Sequence, residues 1–131
     1  MATYIETTVS DVQKVLELLQ AQHGKFALAM LYSRDEPSET GWNLIVAAPW
    51  ADRLSKADAT GIVVDALSVH LGMENKRAIS RVTVLPVRED FVREMTSFFQ
   101  VASPGAAHPV HNVSAAGIPI GAGYVFYSQH V

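Results

Sequence analysis

Residues 42–72 read WNLIVAAPWADRLSKADATGIVVDALSVHLG, and this stretch carries the strongest sequence evidence for the fold. The run Trp42–Ala48 is short and apolar without strict alternation, as in a strand that is buried on both faces. A proline ends this run, and a helix is predicted over Lys56–Leu71, with Ser55 as its N-cap and Gly72 as its stop. A buried strand that leads into a helix predicts a domain that mixes both kinds of element.

A helix and a strand precede this stretch. Apolar residues spaced i, i+3, i+4 and i+7 predict a helix over Ser10–His23, with Ser10 as its cap and Gly24 as its stop. The run Phe26–Tyr32 predicts a strand, and the acidic, turn-forming residues 34–41 predict a hairpin connection to the next strand. The segment Thr3–Thr8 fits either a strand or an early helical turn.

The remaining elements are a strand, a helix, a loop and a final strand pair. The strand is predicted at Ile79–Leu85 and the helix at Val87–Phe99, with Phe91, Met95 and Phe98 on one face. The loop is predicted at Val101–His111, and the two final strands at Val113–Ala116 and Gly123–Ser128. This order predicts one α+β domain over residues 1–131. Its sheet is expected to be mixed and largely antiparallel, with four to five strands and about three helices packed mainly on one face.

The end of the chain, Gly123–Ser128, is rich in aromatic residues. Alternation places Tyr124 and Phe126 on one face of the strand and Val125 and Tyr127 on the other. Aromatic residues on both faces suit a sheet that is covered on both sides, by helices on one and by a partner subunit on the other. The glycines of 117–123 are interpreted as bends and close backbone approaches in a terminal hairpin rather than as a phosphate-binding loop.

Composition favours a globular protein that does not work alone. Of the 131 residues, 49% are hydrophobic and only 18% are charged, which is below the average of about a quarter. A surface this poor in charge leaves apolar area to cover, and we expect a homo-oligomer, most simply a two-fold dimer.

Charge and cysteine content exclude several function classes. The net charge is −3 and the lysines and arginines are scattered apart from the pair Lys76–Arg77, which disfavours nucleic acid and an anionic membrane surface as partners. The chain has no cysteine, so disulfides, thiolate catalysis and iron–sulfur clusters are excluded. Because the first residues lack the features of a signal peptide, the cytoplasm is the expected location.

The preferred candidate site is the stretch around Trp50, Asp52 and Arg53. It follows a buried strand and precedes a helix N-terminus, a place that often lines a ligand crevice in open α/β sheets. The indole offers an apolar wall, and the two charges can orient a polar ligand. His70, an ionisable residue at the end of an apolar stripe, is added as a further ligand-binding candidate. A local cap or ion pair and a core histidine are the structural alternatives.

His108 and His111 raise the question of a metal, with Asp52 or His130 as a third ligand. Because the sequence has no established metal-ligand spacing, they are interpreted as loop residues, and no metal site, cofactor or catalytic residue is predicted. The sequence therefore favours a non-catalytic interaction or regulatory module that acts as a homo-oligomer. The alternative is a small-molecule-binding protein or enzyme with a pocket near Trp50, Asp52 and Arg53.

Overall fold

The computed structural model describes residues 4–33, 41–72, 78–101 and 107–129, with side chains from residue 8 onward. In this part of the chain, four helices and five strands form one α+β fold. In order they are α1 (Tyr4–His23), β1 (Leu28–Ser33), β2 (Trp42–Ala47), α2 (Pro49–Asp52), α3 (Lys56–His70), β3 (Ile79–Val84), α4 (Asp90–Phe98), β4 (His108–Ala115) and β5 (Ile118–Ser128). The predicted connection at 34–40, the pair Lys76–Arg77 and His130 lie outside the described residues.

The sheet has the strand order β3-β2-β1-β5-β4. Only β2 and β3 run parallel, and α2 and α3 form the crossover between them; β1 pairs antiparallel with β2 and β5, and β5 with β4. The predicted mixed, largely antiparallel sheet is confirmed. A parallel neighbour requires a crossover, which is why the strand and helix of residues 42–72 decide the topology.

The helices divide between the two faces of the sheet. Side chains of α1, α2 and α3 share one buried cluster with Leu44 and Val46 of β2, whereas α4 shares a second cluster with Ile45 and Ala47. Three of the four described helices thus lie on one face; of the three helices that the sequence predicts, α1 and α3 lie there and α4 covers the other face. Strand β2 is buried on both faces, which explains the absence of alternation in its sequence.

Two predicted helix ends are confirmed, and the predicted start of α1 is wrong. Gly24 follows the last residue of α1 with φ +130°, and its N–H donates to Gln20 O at 3.0 Å. The hydroxyl of Ser55 accepts from Asp58 N–H at 3.1 Å and caps α3. Ser10, however, lies inside α1, because the helix already begins at Tyr4.

The strand pair at the end of the chain is longer than the sequence predicts. Strand β4 begins at His108, where a loop was expected, and Pro109 lies opposite Tyr124 of β5. Proline is tolerated here because β4 is an edge strand. The pairing of β5 with β1 contains a bulge. Ala29 lies opposite Tyr127 and Met30 lies opposite Val125, so Phe126 is an extra residue without a partner in β1. This bulge puts Phe126 and Tyr127 in the same cluster, so the predicted alternation is wrong at Tyr127.

Candidate functional site

A cavity of about 590 Å³ opens between α2, the first turn of α3 and the connection from β3 to α4. It lies where the parallel strands β2 and β3 end, which is the position where open α/β sheets commonly bind ligands. Apolar side chains form most of its lining, and its charged residues are Asp52, Lys56 and Arg88. This arrangement suits a small ligand with both an apolar and a charged part.

Asp52 connects two walls of the cavity. Both of its carboxylate oxygens lie 3.3 Å from the backbone nitrogen of Val87 and accept a hydrogen bond from its N–H. The side chain is exposed, so this contact holds α2 to the connection that follows β3 without burying a charge. Asp52 therefore already has a structural role in shaping the cavity that it lines.

Trp50 points to a different part of the molecule. Its ring stacks on His23 with 4.8 Å between the ring centroids and meets Phe26 edge-on at 5.8 Å. The buried indole Nε1 has no hydrogen-bond partner among the described residues. Trp50 thus packs α2 against the end of α1 and is not one of the residues that line the cavity.

The other two predicted site residues also lie away from the cavity. Arg53 is exposed at the end of α2 and does not line it. His70 is the last residue of α3 and is exposed, whereas Lys56, which lines the cavity, is the first residue of the same helix. A helix of this length separates its two ends by about 20 Å. Of the four predicted residues, the structure places only Asp52 at the cavity.

Sequence reasoning missed the two cationic residues of the cavity, Lys56 and Arg88. The apolar periodicity predicts a helix from Val87, which assigns Arg88 to a helix; α4 in fact begins at Asp90, so Arg88 lies in the connection after β3. The signal that could have found Arg88 is Pro86, because a proline after a strand favours an irregular connection at the strand's carboxyl end.

His108 and His111 lie in an exposed part of β4. Residues three apart in a strand point to opposite faces of the sheet, so their side chains diverge. His108 instead lies beside Phe99, with 5.7 Å between the ring centroids. Among the residues with described placement, no three His, Asp or Glu side chains form a group that could hold a metal ion.

Apolar side chains are exposed on two helices. Val69 of α3 is 76% exposed and Phe98 of α4 is 60% exposed. The prediction that Phe98 shares the buried face of its helix is wrong, because α4 ends there and Phe99 packs against the core instead. Phe98 lines a groove between α4 and the β4–β5 turn, where the Glu94 carboxylate accepts from Ala116 N–H.

Comparisons of the chain with models of known protein families, with curated proteins and with solved structures find no match. Within the described residues, no helix combines the length and apolar character needed to cross a membrane.

Proposed function

We propose that this domain is a cytoplasmic, non-catalytic interaction module that acts as a homo-oligomer, most simply as a two-fold dimer. The observation that carries the proposal is the exposure of Val69 and Phe98 in a chain of which only 18% is charged. Large apolar side chains that remain exposed on a charge-poor surface favour association, because a second protein surface removes them from water.

Helix α3 supports this proposal through its composition. Its apolar residues are spread around the helix: Val63 and Leu67 are buried, whereas Val64 and Val69 are exposed. A helix that is apolar on several sides is normally covered on several sides. In the described structure α3 is covered by the sheet and by α1 and α2, and its exposed valines are left for a partner.

The experiment is light scattering on purified protein over a range of loading concentrations. The monomer mass is 14.2 kDa, and we expect the measured mass to rise toward twice that value with concentration. A mass that stays at 14.2 kDa up to the highest concentration would contradict the proposal.

A second candidate function, small-molecule binding, is favoured by the cavity beside Asp52. Its volume of about 590 Å³ lies within the range of about 300–1,000 Å³ that is usual for ligand pockets. Lys56 and Arg88 provide positive charge, which favours a small carboxylate or phosphate compound with an apolar part.

Fragment screening by NMR tests this second candidate. A set of small aromatic carboxylates and phosphates is expected to shift the signals of Val84, Leu85 and Val87. The variant Leu54→Trp, which enlarges an exposed side chain of the cavity lining, is expected to abolish these shifts, while Val69→Thr on α3 leaves them unchanged. Shifts that persist in Leu54→Trp, or that are absent from the cavity residues of the wild type, would reject the site.

A further inference from the structure

The two edges of the sheet differ in whether they can accept another strand. In the described chain, β3 and β4 are the outer strands, and each has a hydrogen-bonded neighbour on one side only. Strand β4 carries Pro109 and has Asn112 at φ +50°, two features that interrupt a regular edge. Strand β3 has no proline and no residue with positive φ, and Arg81 is its only charged residue. Its one irregularity, the extra residue Ser80 in the pairing with β2, lies before Arg81, and the pairing is regular from Arg81 to Val84.

The free hydrogen-bonding groups of β3 can be assigned to particular residues. Leu85, directly after the strand, donates its N–H to Val46 O of β2 at 2.9 Å. Because the direction of the backbone groups alternates along a strand, Thr83 and Arg81 also face β2. Val82 and Val84 therefore direct their N–H and C=O away from the sheet, and these four groups are available to another strand.

We infer that β3 pairs antiparallel with β3 of a second copy, so that two sheets join edge to edge across a two-fold axis. This inference rests on the proposed function, since it names the interface through which the domain self-associates. The unpaired N–H and C=O groups select a β-strand as the occupant. The exposed valines of α3, which packs on β3, and the low charge of β3 favour a second copy of this chain as the source of that strand.

The charge pattern restricts the register of the two strands. In an antiparallel pair, the side chains of directly opposite residues lie on the same face of the sheet. A two-fold axis must therefore run between the two copies of one residue, which then lie directly opposite each other. An axis at Arg81 would place two guanidinium groups directly opposite each other, which is unfavourable. An axis at Val82 or at Thr83 avoids this contact. In both of these registers, Val82 and Val84 supply inter-strand hydrogen bonds.

Helix α3 makes the interface continuous beyond the strand. It packs on β3, and a two-fold axis through β3 therefore brings the two α3 helices toward each other in antiparallel orientation. The first turn of one helix, which contains Asp58, then faces the last turn of the other, which contains His70. The positive partial charge at the start of one helix then faces the negative partial charge at the end of the other, which is favourable.

The size of the interface sets the expected strength of the dimer. Strand β3 has six residues, which corresponds to a length of about 20 Å. A strip of this length, as wide as one strand and one helix, is smaller than the standard interface, which buries about 800 Å² per partner. We therefore expect a dissociation constant in the micromolar range and a monomer–dimer equilibrium that dilution shifts toward the monomer.

The substitution Val82→Pro tests the pairing directly, with Val82→Thr as the matched control. Proline removes the outward N–H that the second copy needs but no hydrogen bond to β2, whereas threonine keeps the N–H and the branched shape. In sedimentation velocity, we expect wild type and Val82→Thr to dimerise similarly. Val82→Pro is expected to require at least about tenfold higher concentration, a change of about 1.4 kcal/mol.

Cross-linking provides a second test that does not depend on the folding of the proline variant. The chain has no cysteine, so Val82→Cys and Thr83→Cys each introduce a single thiol at one of two central positions of the axis that keep the two Arg81 side chains apart. At least one of them is expected to form a disulfide-linked dimer under mild oxidation, whereas Ser114→Cys on the β4 edge is not. If neither β3 variant cross-links more than Ser114→Cys, the β3 interface is rejected.

The outcomes separate this inference from the proposed function. If the wild type dimerises, and Val82→Pro dimerises equally well, the interface lies elsewhere and only the inference fails. If the wild type is monomeric at every concentration, both fail. Concentration-dependent dimers that Val82→Pro weakens and a β3 cysteine traps support both.

Discussion

At Gly123 the neighbouring strands leave little room for a side chain. A Cβ placed there would lie 3.0 Å from Val110 Cγ2 and 3.1 Å from Leu31 O. The second of these neighbours is backbone and cannot rotate away. The close approach of strands β4, β5 and β1 at this point therefore favours glycine.

We expect Gly123→Ala to destabilise the domain by about 1–3 kcal/mol, because neighbouring strands must move to admit the methyl group. The matched control is Gly61→Ala in α3, where a Cβ has no neighbour within 4 Å. Alanine favours a helix, so this control is expected to raise stability by about 0.5–1 kcal/mol. Urea denaturation of both variants measures the difference, and equal stabilities would contradict the packing at Gly123.

Tyr127 is the residue at which burial has the clearest electrostatic effect. Its hydroxyl is buried and has no hydrogen-bond partner among the described residues. Burial, together with the nearby negative charge of Glu17, raises the pKa of this phenol above its usual value of 10.0. Both effects disfavour the phenolate in the folded state.

The raised pKa of Tyr127 predicts a loss of stability in alkaline solution. Below pH 10 the phenol is neutral in both states, whereas above it the unfolded chain loses this proton first and folding is penalised. We expect Tyr127→Phe to change the free energy of unfolding by less than about 1 kcal/mol at pH 7, since no hydrogen bond is lost. Its stability should fall less steeply than that of the wild type above pH 10. Parallel alkaline profiles in denaturation experiments would reject this explanation.

At the residue scale, the sequence predicts the structural role of a residue better than the face on which its side chain lies. The interpretation of the terminal glycines as bends and close approaches agrees with Gly117, which has φ +79°, and with Gly123, which has two close neighbours. The face of Tyr127 could not be predicted, because a bulge at Phe126 depends on pairing with β1, far away in the chain. Phe98 is similar, since its exposure depends on where α4 ends.

At the scale of the element, α3 shows how one side chain fixes a helix start. The Ser55 hydroxyl accepts from Asp58 N–H and satisfies one of the free donors of the first turn. We expect Ser55→Ala to destabilise the domain by about 1 kcal/mol. Ser68→Ala, in the exposed last part of the same helix, serves as the control and is expected to change stability by less than about 0.5 kcal/mol. Thermal denaturation in dilute solution compares them, and equal effects would contradict the cap.

Strong local signals explain which elements the sequence predicts well. Strand β2 and helix α3 each differ from their predicted ranges by one residue at one end, because apolar pattern, cap and stop agree there. For part of β4 the sequence predicts a loop, because Pro109 is compatible with a strand only at a sheet edge. The candidate site shows the same limit. The position of Asp52 at the cavity could be predicted because it comes soon after β2 in the chain, whereas Arg88 lines the cavity only because the fold brings the connection after β3 beside α2.

At the scale of the whole molecule, both faces of the sheet are covered, yet β3 still offers free hydrogen-bonding groups at one edge. The sequence predicts association from composition alone, and it expects the partner on a face of the sheet. In the described structure α4 packs on the second face, so the edge formed by β3 and α3 becomes the better candidate. Strand order is a property of the whole fold, and for that reason composition could not identify this edge.

Amide hydrogen exchange, followed by NMR over a range of protein concentrations, tests the β3 pairing most directly. Thr83 N–H faces β2 and is expected to be protected at every concentration. Val82 and Val84 face outward, and their amides are expected to be protected in concentrated solution and to lose this protection on dilution, as the dimer dissociates. Outward amides that exchange rapidly at every concentration, while Thr83 stays protected, would contradict pairing through β3.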